Sequence, residues 1–392
     1  MKKTFPLDQA LIFKTPIPLS LYIHLPWCVR KCPYCDFNSH EIRTQIPEAH
    51  YVQRLLMELE SRLPEIWGRR FSSIFFGGGT PSLFSPDSID NILRGVNQLF
   101  PFQADIEITL EANPGTIDEA RFAGFKEAGI NRLSLGVQSF DEKMLKTLGR
   151  IHGAKEAKRA IETALKIGFE NFNIDLMHGL PGQTVTQGLE DLQIAMSYQA
   201  PHLSWYQLTL EPQTFFHKFP PVLPEEDVLN DIQQAGKNYL LAQGLRDYEV
   251  SAFAKPNKQC QHNLNYWQFG DYLGLGAGAH SKLTFYDEQC IKRTWQVKNP
   301  KDYLNPNHSF LTETRILGEK ECIFEFMLNA LRLRDGVTLA LFETRTGLPQ
   351  ESIQSIVSQA KAKGLLADDQ NKLFPTTLGF NFLNDLTAMF LP

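Results

Sequence analysis

Between Leu19 and Leu210 the chain repeats one pattern: a short β-rich apolar run, a loop of Gly, Pro or polar residues, then a stretch with helical spacing. The apolar runs are Leu19–Leu25, Ser73–Phe76, Ile106–Leu110, Arg132–Leu135, Phe172–Leu176 and His202–Leu208. The helical stretches are His50–Leu63, Asp87–Leu99, Asp118–Ala128, Ala154–Ile167 and Thr184–Ser197. Ser85 before Pro86, and Thr116 before Asp118 and Glu119, are of the residue types that cap helix N-termini by accepting from a free N–H. Strands alternating with helices of this length pair in parallel, because a parallel pair needs a long crossover. The class expected is therefore α/β, either a partial (β/α)6 barrel of the TIM type or an open doubly wound sheet. The loops decide between them. They read PWCVRKCPYC, GGGTP, EANPG, GVQS, MHGLPGQ and EPQ, so reactive or polar residues follow strand after strand. A barrel gathers such loops on one rim, at the C-terminal ends of its strands. A doubly wound sheet concentrates them at one switch point.

Beyond Glu211 the alternation stops. Phe219–Pro224 is proline-rich and reads as a linker or an extended crossing. The stretch HNLNYWQFGDYLGLGAGAH is aromatic and glycine-rich, and from about Thr312 the pattern reads as helical. The end, GLLADDQNKLFPTTLG, has the look of a small β-hairpin after helices, as in winged-helix units. Four segments result: an N-terminal arm over 1–18, the barrel over 19–215, an extension over 216–310, and a C-terminal helical, winged-helix-like unit over 311–392.

Charge narrows the partners. Lysine and arginine total 39 against 44 acidic residues, a net charge of −5, which does not favour nucleic acid as an obligatory partner. No apolar run approaches the ~18 residues that span a bilayer. Asp8, Gln9, Lys14 and three prolines interrupt any signal-peptide core in the first eighteen residues. A soluble cytoplasmic protein is expected. Its thiols would stay reduced there, and a tight cysteine cluster would hold a metal rather than a disulfide.

Three of the six cysteines stand in such a cluster, Cys28, Cys32 and Cys35, spaced C-x3-C-x2-C. Cys260, Cys290 and Cys322 lie far downstream. Closely spaced thiolates hold iron–sulfur clusters. They also hold zinc, for which His24 or His40 would have to supply a fourth ligand. A cubane on three thiolates instead leaves one iron open to an external ligand.

Tyr22-x5-Cys28-x3-Cys32-x2-Cys35, followed by Gly77-Gly78-Gly79-Thr80-Pro81, resembles the radical S-adenosylmethionine (SAM) superfamily. More narrowly, the chain resembles its oxygen-independent coproporphyrinogen III oxidase group, from about Ser20 to His280. The resemblance implies a partial barrel of the radical SAM kind and a [4Fe–4S] cluster on Cys28, Cys32 and Cys35. SAM would chelate the fourth iron, and its reductive cleavage would give a 5′-deoxyadenosyl radical. It also implies SAM contacts from Tyr22, Tyr34, Gly78, Gly79, Thr80, Glu111, Gln138, Arg150 and Asp175. The chemistry suits these roles: glycines allow close backbone approach, Arg150 can fork onto a carboxylate, and Glu111, Gln138 and Asp175 can bind ammonium or hydroxyl groups.

Two functions share this core. One is oxidative decarboxylation of coproporphyrinogen propionates; the other is haem carriage, as in the HemW-type haem chaperones. The oxidases have a fourth cysteine two residues after the third, where this chain has Phe37. His262-Asn263-Leu264-Asn265-Tyr266-Trp267 matches the HNxxYW motif of the chaperones. Imidazole is a common haem ligand and Tyr266 and Trp267 could wall a porphyrin. His178, His217 and His280 are alternative ligands. The expected function is therefore haem binding and delivery to acceptor proteins, with the oxidase as the alternative and no catalytic residue assigned. The resemblance further implies a flavodoxin- or ferredoxin-like electron donor. Transient membrane contact also follows, because haem acceptors are often membrane-bound.

Overall fold

The structure is a computed structural model that describes residues 11–392; the first ten residues of the expected N-terminal arm lie outside the described residues. All six apolar runs are strands: β1 (Leu19–Leu25), β2 (Phe71–Gly78), β3 (Glu107–Ala112), β4 (Arg132–Gln138), β5 (Phe172–His178) and β6 (His202–Gln207). They pair in parallel, each with the next in sequence. Their side chains are buried on both faces, which is why they read as continuous apolar runs and not as alternation.

Helices α1 (Glu48–Ile66), α2 (Pro86–Leu99), α3 (Glu119–Glu127), α4 (Glu142–Thr147), α5 (Ala154–Ile167) and α6 (Val185–Ser197) make the crossovers. Ser85 caps α2 as expected, accepting from Ser88 N–H at 3.2 Å. For α3 the cap is Asp118, not Thr116: Arg121 N–H donates to its carboxylate at 2.9 Å. The short α4 was not expected, because six residues are too few to show a helical period.

The largest departure lies beyond Glu211. After the short α7 (Phe215–Lys218) and α8 (Glu226–Ala242), the chain returns to the same sheet. It adds β7 (Arg246–Glu249), β8 (Ala252–Ala254), β9 (Asp271–Leu275), β10 (His280–Phe285), β11 (Cys290–Gln296) and β12 (Leu311–Ile316). The order across the twelve strands is β12-β11-β10-β9-β1-β2-β3-β4-β5-β6-β8-β7. Strand β9 pairs in parallel with β1, whereas β8 pairs antiparallel with β6. The segment from Thr312, expected as helix, begins as strand β12, whose charged and threonine residues are solvated at the sheet edge. The C-terminal unit then follows with α10 (Pro300–Leu304) behind it and α11 (Glu319–Ala330), α12 (Leu339–Thr346) and α13 (Glu351–Ala362) ahead. The expected small hairpin is present, with Leu366 bridged to Pro375 and Leu373 paired with Val337.

A second apolar core unites α11 to α13 with Leu11, Phe13 and Ile17 of the arm. This unit also braces both ends of the open sheet. Arg332 and Arg334 reach Glu249 and Asp247 on β7 at 2.9 and 2.7 Å. Glu321 and Glu325 of α11 reach Arg315 and Arg293 on β12 and β11. Between them α9 (Gln261–Trp267) crosses under the barrel.

The start of β9 rests on one buried carboxylate. Asp271 receives Lys282 Nζ at 2.9 Å, Arg69 Nη2 at 2.9 Å and the Thr284 N–H at 2.9 Å, with no solvent exposure. Removing the carboxylate would strand an ammonium in the interior. Asp271→Ala should cost about 3–5 kcal/mol of folding stability. A fall in the urea midpoint without a change in slope would register it.

Candidate functional site

The cysteine loop folds across the C-terminal ends of β1 and β2. Trp27 and Cys28 pair with His40 and Glu41 to close its base. The loop after β2 is sewn to it: Gly79 N–H donates to Leu25 O at 2.9 Å and Thr80 N–H to Trp27 O at 2.8 Å. A Cβ on residue 79 would stand 2.5 Å from Trp27 O, so only glycine permits this approach. Gly78 has φ +115°, and its N–H is turned to Glu111 Oε2 at 3.2 Å.

Behind this seam lies a cavity of about 370 Å³. Cys28, Cys32, Cys35, Tyr34, Gly78, Gly79, Thr80, Glu111, Gln138, Arg150 and Asp175 all line it. Residues from the Cys loop and from the ends of β2 to β5, scattered over nearly 150 positions of sequence, thus share one space. Each thiol has a donor beside it. Thr80 Oγ1 donates to Cys28 Sγ at 3.5 Å, Arg150 Nη1 to Cys32 Sγ at 3.6 Å, and Ser39 Oγ lies 3.9 Å from Cys35 Sγ. Burial pushes the Cys28 and Cys35 thiols up, and the hydroxyls of Thr80 and Ser39 oppose it.

Among the described residues no three His, Cys, Asp or Glu side chains surround one ion-sized point. His24 is committed elsewhere, with Nε2 donating to Asn38 O at 2.9 Å and Nδ1 accepting from Tyr22 OH at 3.0 Å. Three thiols on one loop, facing a cavity that supplies no fourth thiol, fit a larger polynuclear body with one corner left to another ligand.

The rest of the lining can receive a zwitterion. Arg150 Nη2 donates to Gly136 O at 2.6 Å, while its buried Nε has no partner. That free N–H beside a guanidinium edge is a place for a carboxylate. Opposite it, Glu111 and Asp175 are both half-buried on their strands. Glu111 is pushed up to about 8, first by burial and then by the charge of Asp175, with the Gly78 N–H opposing. Asp175 is raised by burial, against hydrogen bonds from Ser134 and Asn173 at 2.9 and 2.7 Å. Two carboxyls that resist joint ionisation create a demand for a cation. Gln138 sits at a bulge of β4 with φ +72° and accepts from Tyr206 OH at 2.6 Å. A non-glycine residue in that region costs about 1–3 kcal/mol and is retained where geometry at a site is over-determined. Tyr206, Ser134 and Asn113 also line the cavity and were not singled out from sequence. Tyr206 lay inside an apolar run, and only the strand register aims it inward.

Two groups of expected residues stand outside this cavity. Tyr22 does not line this cavity. It lies beneath it, in a lower chamber of about 230 Å³ shared with Glu111, Ser134 and Asp175. The HNxxYW residues also part company. His262 is 1% exposed and closes that chamber from below. Because Ser73 donates to Ser20, His262 Nδ1 donates to Ser73 Oγ at 3.0 Å and Nε2 accepts from Tyr266 OH at 3.2 Å. Burial holds the imidazole neutral, lowered to about 3. Both ring nitrogens are thus hydrogen-bonded within the protein. Asn263 lines the chamber, but Trp267 points away, packing on the second core with Arg332 4.3 Å above its ring. The four residues form a plug and share no porphyrin wall. Of the alternatives, His178 is buried against Trp205 at 4.3 Å and His280 stands edge-on to Trp295. His217 is exposed, with Nδ1 donating to Leu210 O at 3.2 Å.

A glycine-seamed cysteine loop over a cavity at the C-terminal ends of a parallel barrel defines a class, and comparison agrees with it. Residues 22–193 match the radical SAM superfamily and residues 317–382 the HemN C-terminal domain. The solved coproporphyrinogen III oxidase (HemN) from Escherichia coli superposes with a TM-score of 0.80 at 24% identity, covering 96% of this chain and 90% of that one. The haem chaperone HemW of E. coli (strain K12) is 48% identical over 374 residues, covering 95% of this chain and 98% of that protein. HemW of Bacillus subtilis (strain 168) is 33% identical, covering 95% and 99%. The chain belongs to the HemW family of radical SAM proteins. No helix among the described residues is long and apolar enough to cross a membrane.

The raised Glu111 carries a pH signature. Between about 4.5 and about 8 the folded state holds a proton at Glu111 that the unfolded state has released. Stability should therefore fall as pH rises through that window in protein without ligand. Glu111→Gln should flatten the dependence, read as the difference between the two proteins' urea midpoints from about pH 5 to pH 8.

Proposed function

We propose that the protein is a haem carrier built on a radical SAM core: it holds a [4Fe–4S] cluster and SAM in the upper cavity and binds haem for delivery to acceptor proteins. The observation that carries the reading is the 48% identity to E. coli HemW across 95% of the chain. In support, Phe37 stands at the cavity mouth, 61% exposed, where the resemblance to the oxidases calls for a thiol. A phenyl ring can neither donate a hydrogen atom nor pass an electron as a thiol does, so oxidative decarboxylation lacks one of its groups.

In this reading Cys28, Cys32 and Cys35 ligate three irons. Arg150 receives the SAM carboxylate on its free Nε edge, and Glu111 and Asp175 face its cationic or hydroxyl groups. Gln138, oriented by Tyr206, borders the ribose, and Tyr34 packs near the adenine. Bound together, cluster and SAM supply reductive cleavage of a carbon–sulfur bond. The protein's part is to orient the sulfonium and exclude water behind the seam of Gly79 and Thr80. A small flavodoxin- or ferredoxin-like donor would reduce the cluster from the mouth, where Val29, Phe37 and Ile151 are exposed. Delivery to a membrane-bound acceptor calls for transient contact alone.

Anaerobic reconstitution with iron and sulfide tests the reading. The wild type should gain brown cluster absorbance, bind haem and convert no coproporphyrinogen. Repeated turnover to protoporphyrinogen would replace the carrier with the oxidase. Cys32→Ser should lose the absorbance and most of the iron; unchanged iron content would overturn the ligand assignment.

A further inference from the structure

A cavity of about 490 Å³ opens at the opposite end of the barrel from the cysteine loop, between the sheet extension and α11. It is within the range of small-molecule and cofactor pockets. Tyr266, Phe269 and Tyr272 form its inner wall, and Phe324 and Leu328 of α11 the outer one. Leu328 is exposed at the rim, while Phe269 is buried beneath. The space is thus a slot with apolar sides.

Its polar groups have one unusual arrangement. The Tyr272 hydroxyl accepts from the Arg293 guanidinium, whose Cζ also lies 5.6 Å from the tyrosine ring centroid. Tyr266 meets the ring of Tyr272 edge-on at 4.5 Å, with its own hydroxyl turned away to His262. Arg293 is steadied from behind by Glu325 at 3.7 Å. Arg315, at the rim, is shared between Glu321 at 3.1 Å and Glu325 at 3.7 Å. Lys282 also lines the slot, but it is neutralised by Asp271. A phenol held by a guanidinium is arranged to exist as phenolate when a metal displaces its proton to solvent. Burial raises the Tyr272 hydroxyl, and Arg293 pulls the other way. Tyrosinate is an established axial ligand for ferric haem in proteins.

We propose that this slot is where the carried iron porphyrin sits, with Tyr272 as its iron ligand and Arg293 as the residue that stabilises the phenolate. The inference rests on the haem-carrier reading and gives that haem a place. On binding, the iron–oxygen bond forms, the phenol proton passes to solvent and no electron moves. Tyr266 and Phe324 would wall the macrocycle. Arg315, at the rim near Leu328 and paired with Glu321, would receive a propionate.

Ferric haem titrated into the cluster-loaded full chain provides the test, read by difference absorbance and by resonance Raman excited in the phenolate-to-iron charge-transfer band. Wild type should show a high-spin tyrosinate signature. Tyr272→Phe should abolish it and weaken binding by about 100-fold, and Arg293→Ala should weaken binding by about tenfold. His262→Ala and His217→Ala should retain the tyrosinate signature. Leu328→Glu, on an exposed position that tolerates a polar group, should weaken binding through the propionates and guards against a Tyr272 variant that fails to fold. Cluster absorbance and SAM binding should be unchanged in Tyr272→Phe. A wild-type spectrum in Tyr272→Phe, or a histidine signature lost with His217→Ala, would overturn the slot while leaving the carrier reading in place. Absence of haem binding by the wild type would sink both.

Discussion

The mouth of this barrel depends on how closely one stretch of backbone can approach another. Gly79 lies so near Trp27 O that any side chain would push the loop after β2 off the cysteine loop. With that contact made, two backbone hydrogen bonds lock the loops together, and Thr80 is left with its hydroxyl on Cys28. The thiols are then held at a fixed height above Glu111, whose carboxylate takes the N–H of Gly78. Positions of sulfur, hydroxyl and carboxylate all follow from an absent methyl group. Separating the loops by even 1 Å would break both hydrogen bonds, since N–H···O contacts weaken steeply beyond about 3.2 Å.

A sheet of twelve strands that does not close must manage its ends and its floor. The strands nearest the cavity are parallel and carry the site. Those at the flanks are antiparallel, shorter or solvated, and carry charge. An open edge invites pairing with other chains unless it is covered or polar. Here β12 meets solvent with Thr312, Glu313, Thr314 and Arg315, whereas β7 is covered through Arg332 and Arg334. The C-terminal unit thus acts as a brace between two sheet ends, and α9 fills the gap left under the barrel. The N-terminus of α9 is held by Glu107, which accepts from the Gln261 and His262 N–H groups at 2.8 and 3.2 Å.

Legibility in the sequence followed the reach of the forces involved. Strands β1 to β6 were readable because parallel strands are buried on both faces, so burial leaves a run in the sequence. The rim residues were readable for a related reason: a barrel of known hand puts every post-strand loop on one side. The extension was opaque because β9 to β11 bury polar residues such as Ser281, Thr284 and Gln296 beside apolar ones while β12 is solvated, and Asp271 and Lys282 look like surface charges until they are seen to neutralise each other. His262 is ambiguous in a different way. A histidine among aromatics has the same composition in a plug as in a ligand pocket. What separates the two is whether both ring nitrogens are bonded, and that depends on Ser73, a residue 189 positions away.

Strand β9 links the two ends of the molecule. Its second residue, Tyr272, stands opposite Ser20 near the foot of β1, and its last, Leu275, pairs with Ile23. Just beyond, Gly276 N–H donates to Glu58 and Ala277 O accepts from Asn38 of the cysteine loop at 2.9 Å. Asn38 lies three residues past Cys35, and Nε2 of His24 donates to its carbonyl. A single parallel strand therefore runs from the cysteine loop to the proposed porphyrin slot, fixed at the foot by Asp271 and at the top by Asn38. A radical formed above the seam and a macrocycle held below α9 would lie at opposite ends of that strand, with the plug of His262 and Tyr266 between them. Such a separation keeps an oxidisable cargo away from radical chemistry while leaving one rigid element in contact with both. An arrangement of this kind suits a carrier more than an enzyme, whose substrate must reach the place where the radical is made.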